Sequence, residues 1–62
     1  MCEFTVTLKG RSAGRVAEGV IAARYTGEGL ELTDIVGRTK KVENALITSL
    51  DVKTESMTLT EV

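Results

Sequence analysis

The first apolar positions of the chain alternate strictly. In "CEFTVTLK", Cys2, Phe4, Val6 and Leu8 share one parity, and Glu3, Thr5, Thr7 and Lys9 share the other. A period of two predicts a half-buried β-strand, and β-branched residues on both faces strengthen it. The pattern recurs later. "LELTDI" puts Leu30 and Leu32 on an inner face with Glu31 and Thr33 outside, and "MTLTEV" does the same with Met57 and Leu59. "ALITSLDV" is expected to return to the core through Leu46, Ile47, Leu50 and Val52. "RTKKVE" is polar and reads as an edge strand, where lysines discourage pairing with another chain. The stretch around "VIAARYT" is ambiguous. Val16, Val20 and Ala23 fall at helical spacing, whereas Ile21, Ala23 and Tyr25 fit period two. Gly19 weakens a helix, so a strand is expected, with a helical turn near Val16 to Gly19.

Glycine supplies all the punctuation, because the chain has no proline. Short strands at a spacing of about 8–12 residues predict a small β-barrel or twisted sheet. The expected fold is therefore all-β. It is a single small domain over residues 1–62, a barrel or strongly twisted antiparallel sheet of about six to seven short strands.

Size sharpens the picture. A chain of 62 residues buries only about 60% of its unfolded surface, and chains this short usually add disulfides, a metal or a second subunit. One cysteine excludes an internal disulfide, and the absence of histidine excludes the common zinc-finger ligand sets that need it. Oligomerisation, an unconventional metal site, or both are left. Eight Lys and Arg face nine Asp and Glu, a net charge of −1, which is not the basic balance of a non-specific nucleic-acid binder. No apolar run reaches the roughly 18 residues of a membrane span. The opening lacks the basic and apolar regions of a signal peptide. An unpaired cysteine without an export signal points to the reducing cytoplasm.

The candidate chemistry lies at the start, "MCE". A lone cysteine is most often a small core residue, and parity aligns Cys2 with Phe4. Position 2 argues the other way, since chain ends are usually poorly buried. With Met1 removed, the Cys2 amine and thiolate close a five-membered ring on one ion. With Met1 retained, its amine, the Cys2 amide nitrogen and the sulfur close two fused rings. Planar nitrogen donors suit Cu(II) or Ni(II), and thiolate adds affinity for soft late metals. Ni(II) is the calmer partner, because Cu(II) tends to oxidise an exposed thiolate. The candidate metal positions are Cys2 through sulfur and Met1, Cys2 and Glu3 through main-chain nitrogens. A carrier must release its ion, so Cys2 is expected to be reachable from solvent, with residues 1–3 loosely held until metal binds.

The chain resembles the CooT family of small nickel-binding proteins, accessory factors for carbon monoxide dehydrogenase. The resemblance rests on "MCE", on "LTDIVG" (Leu32 to Gly37), on "KKVENALITSLDV" (Lys40 to Val52) and on "MTLTE" (Met57 to Glu61). Val36 stands where the family often has an aromatic, and Asn44 where a glycine is common. The resemblance implies a cytoplasmic homodimer of β-rich subunits with Cys2 as the nickel ligand near the interface. It further implies delivery of Ni(II) to carbon monoxide dehydrogenase or its maturation proteins.

Similar sequences are also described as RNA-binding. That alternative would use Arg38, Lys40 and Lys41, together with Arg11, Arg15 and Arg24. The acidic balance and the presence of only two aromatics, Phe4 and Tyr25, argue against it. An enzyme is not expected. Without histidine, a general base would have to be a carboxylate or lysine of shifted pKa. Asp34 and Asp51 sit at strand ends and could face one another, but Asp34 also reads as a turn residue bonded to nearby amides.

Overall fold

A computed structural model describes residues 2–11 and 13–62. Six strands follow one another: β1 (Phe4–Lys9), β2 (Gly14–Thr26), β3 (Gly29–Asp34), β4 (Thr39–Val42), β5 (Ala45–Asp51) and β6 (Ser56–Glu61). They form one sheet in the order β4-β3-β2-β1-β6-β5. Four neighbouring pairs are antiparallel, and β1 with β6 is parallel.

The connectivity forces the sheet to curl. β4 and β5 are the two outer strands, yet only Glu43 and Asn44 separate them. In a flat sheet of this size the outer strands would lie about 24 Å apart. The link from Val42 to Ala45 spans at most about 11 Å. The edges therefore meet at this corner, and the sheet becomes a half-barrel. Asn44 takes a left-handed conformation there (φ 55°), which asparagine tolerates and glycine prefers. That explains a glycine as the common alternative at this position. Gly29 faces the same corner with φ 132°, and a Cβ on it would lie 2.8 Å from the Val42 carbonyl oxygen. Away from the corner β4 and β5 separate. The seam is bridged where the Ile47 N–H donates to the Tyr25 hydroxyl at 2.7 Å.

The inner face carries the core. Val6, Val20, Leu30, Leu32 and Leu59 are sealed from solvent, and Leu8, Ala45 and Met57 are buried beside them. Burying each large aliphatic side chain contributes about 1.5–3 kcal/mol. The inward parities expected for Val6, Leu8, Leu30, Leu32, Met57 and Leu59 all hold. So does the edge position of β4.

Two expectations are corrected. The segment from Val16 to Gly19 is strand, not a helical turn. Its register slips twice against β1, between Phe4 and Val6 and between Val6 and Thr7, and once against β3, between Val20 and Ala22. Each bulge adds a residue without advancing the ladder. Ala17, Val20 and Ala23 therefore pair with inward residues of their neighbours at a spacing of three, which imitates a helix. The same slip turns Ile21 out to solvent. In β5, Leu46, Leu50 and Val52 are exposed rather than core. Leu46 pairs with Thr60 on the outer face; Leu50 pairs with the buried Met57, but at the open seam where nothing covers it; Val52 lies beyond the strand. Ala45 and Ile47 are the residues of β5 that pack on the core.

Asp34 ends β3 as a turn residue, as expected. Its Oδ1 accepts the Val36 N–H at 3.0 Å and the Arg38 N–H at 2.9 Å, and its Oδ2 accepts Arg38 Nε at 3.1 Å. These contacts, the Arg38 amide first, hold the carboxyl below its ordinary value of 3.8. A lowered folded pKa contributes stability that is complete above the unfolded value and is lost as pH falls through the folded one. Asp34→Asn should therefore lower the urea midpoint near neutral pH, and the gap should close in strong acid. A gap of equal size in acid strong enough to protonate the carboxyl in both the folded and unfolded states would rule out the charge as its origin.

Candidate metal site

Two turns and a bulged stretch of β2 meet at the start of β1. Glu55 occupies the turn before β6 with φ 53°, where its N–H donates to the Val52 carbonyl at 3.3 Å. From there its carbonyl accepts the Thr5 N–H at 2.9 Å, and its side-chain Oε2 accepts the Glu3 N–H at 3.0 Å. One residue thus stitches the chain start to a turn 52 positions away in sequence. On the other side lies Gly19, whose carbonyl accepts the Ile35 N–H at 2.9 Å. A Cβ built on Gly19 would touch the Ile35 side chain at 3.7 Å and the Glu3 carboxylate at 3.9 Å. The start of β1 is thereby held between the β5–β6 and β3–β4 turns.

Cys2 precedes the first strand residue and its thiol is free and exposed. The strand parity that aligns it with Phe4 does not extend to it, because the ladder begins at Phe4. Solvent access at Cys2 is as expected. Glu3 is exposed, and its N–H is bonded to the Glu55 carboxylate. Met1 lies outside the described residues. Glu55 was not legible in the sequence, since its role arises from a contact between distant positions.

Which donors could a divalent ion find? Among the described residues, no group of three or more His, Cys, Asp or Glu side chains converges. Side chains of one chain therefore supply one sulfur and no closed cage. The other donors at this end are main-chain nitrogens. One of them, at Glu3, already has a carboxylate 3.0 Å away that can receive its proton. Main-chain amides are weak acids, and a metal competes for such a site only when the proton has somewhere to go.

The basic residues do not form one patch. β4 splits them by parity: Lys40 registers with Leu32 and Lys41 with Glu31. Lys41 pairs with Glu28, Arg24 with Glu31 at 3.0 Å, Arg15 with Glu18 at 2.9 Å and Arg38 with Asp34 at 3.1 Å. The ammonium of Lys40 instead reaches the Val16 carbonyl at 2.8 Å. Cations matched singly to carboxylates and aimed in different directions make a poor track for a phosphate backbone. Asp51 accepts the Lys53 and Thr54 amides at 2.9 and 3.2 Å, so both strand-end aspartates are spent on their own turns.

Among the described residues, no helix is long and apolar enough to cross a membrane. Curated proteins give no match to the chain. A crystal structure of a candidate CooT from Carboxydothermus hydrogenoformans is similar over 98% of both chains, at 27% identity and a TM-score of 0.85. Residues 1–60 match the family described as CO dehydrogenase accessory protein CooT. The chain belongs to the CooT family of carbon monoxide dehydrogenase accessory proteins.

Proposed function

We propose that this protein is a nickel carrier: it binds Ni(II) through Cys2 and passes the ion toward carbon monoxide dehydrogenase in the cytoplasm. The observation that supports it most directly is the exposed thiol of Cys2 next to a main-chain amide already bonded to a carboxylate. In this scheme nickel is cargo. The sulfur and nitrogens of residues 1–3 form a planar donor set, and Glu55 takes up the proton released at Glu3. An open position at the chain start lets an acceptor thiolate attack the ion and draw it off by associative exchange. A closed cage would retain it. No step breaks or forms a covalent bond in a substrate, so the role is that of a non-enzymatic accessory protein.

A homodimer completes the donor set. An apolar cleft of about 240 Å³, lined by Phe4, Ile21, Ala23, Ile47, Leu50 and Met57, opens two residues from Cys2. Ile21 and Leu50 are 43% and 56% exposed on it. A second copy covering this cleft would bring two Cys2 sulfurs toward a common two-fold axis.

Native intact-mass measurement with added Ni(II) tests the scheme. The expected species is a dimer carrying nickel, whose mass also reports whether Met1 is retained. A protein that remains metal-free in the presence of excess Ni(II) would refute it.

A further inference from the structure

The basic residues that nickel binding leaves unused frame a second cleft. β2 has 13 residues, but β3 pairs only with Val20 through Thr26. The first half of β2 pairs with β1 on one side, and its other edge faces a wedge-shaped gap below the β3–β4 end. The gap encloses about 620 Å³, within the range of small-molecule sites at barrel mouths. Its accessible apolar surface is the half-buried Val16 and Ala17, with the sealed core residues Val20 and Leu32 directly behind them. Its rim carries Arg15, Arg38 and Lys40 together with the carboxylates of Glu18 and Asp34.

Lys40 differs from the two arginines. It stands directly opposite Leu32 in the β3–β4 ladder, and directly opposed residues share a face. Its side chain therefore leaves the edge strand on the core side and crosses the gap to the Val16 carbonyl, 2.8 Å from Nζ. Each arginine has a carboxylate partner, Glu18 for Arg15 and Asp34 for Arg38. The acceptor of Lys40 is a neutral carbonyl. An ammonium offers three donors, and one is used here. The cleft thus pairs an apolar floor with one positive charge that no carboxylate neutralises at hydrogen-bond distance among the described residues.

We propose that this cleft binds a small organic oxyanion. A carboxylate or phosphate head would bond Lys40, and a short apolar body would lie on Val16 and Ala17. A charge-assisted hydrogen bond fixes the head, and the floor rejects fully hydrated inorganic ions, which gain nothing by touching it. The site is independent of nickel, since none of these residues belongs to the segment around Cys2.

Amide shifts of the isotopically labelled chain, titrated with butyrate and with phenyl phosphate, test this directly. One of the two should give saturable shifts centred on Val16, Leu32 and Lys40, with a Kd of about 1–10 mM, and the stronger of the two identifies the head. Lys40→Met keeps the aliphatic stem and should weaken binding about tenfold or more; Lys41→Met, which removes only the partner of Glu28, should not. Absence of a saturable response to both probes overturns the proposal. So does an equal response to butanol, an equal response to inorganic phosphate, or unchanged binding in Lys40→Met.

Discussion

Cys2→Ser should abolish the near-ultraviolet sulfur-to-nickel absorption and weaken Ni(II) binding by more than about 100-fold, beyond the 10–100-fold that follows loss of an outer partner. The sulfur is the sole thiolate the chain offers, and the thioethers, oxygens and amides that remain hold Ni(II) far less tightly than a thiolate does. Serine keeps the size of the side chain but ionises too weakly to replace it. Because Cys2 is exposed and precedes the first strand, its loss should leave thermal stability within about 0.5 kcal/mol of the parent. That separation makes the outcome decisive. A variant that unfolds would show that the sulfur packs against the core. A folded variant that binds nickel as tightly as the parent would show that the donors lie elsewhere.

The same contrast shows what the sequence made legible. Strict alternation reports burial faithfully wherever the ladder is regular, as at Val6 and Leu8, Leu30 and Leu32, Met57 and Leu59. It fails at β2 because three register shifts each add a residue, and the resulting spacing of three is indistinguishable from a helical one. At β5 a further cause is added. A bulge between Ile47 and Ser49 brings Leu50 opposite the inward Met57, but the half-barrel is open at that end, and register carries no information about what covers a face. The site divides in the same way. The chemistry of Cys2 depends on residue type and position, so it could be read from the first three residues. Glu55 became visible only when folding brought it 3.0 Å from the Glu3 amide. The split between Lys40 and Lys41 lay between these cases. Period two in "TKKV" already separates them, yet the direction in which each ammonium runs depends on the curl of the sheet, and hence on the two-residue corner at Asn44.

Leu59→Ala carries the largest expected cost to the fold. β6 lies between β1 and β5, and Leu59 is registered opposite Leu8 on one side and Ile47 on the other. It is sealed from solvent, so truncation leaves a cavity that both neighbours line. Such changes cost about 2–5 kcal/mol. At about 0.05–0.15 kcal/mol per residue, a chain of 62 residues holds roughly 3–9 kcal/mol in all. The variant should therefore lose at least about a fifth of its stability and melt at least about 8 °C below the parent. Leu46→Ala removes the same atoms from the outer face of β5, where the side chain is 49% exposed, and should change stability by no more than about 0.5 kcal/mol. Thermal melts of the two variants side by side isolate burial from side-chain chemistry. Equal melting temperatures would mean that the inner face of the half-barrel is not the core. The parallel pairing of β1 with β6, which positions the start of β1 against Glu55, would then lose its support, because Leu8 and Leu59 pack together only in that register.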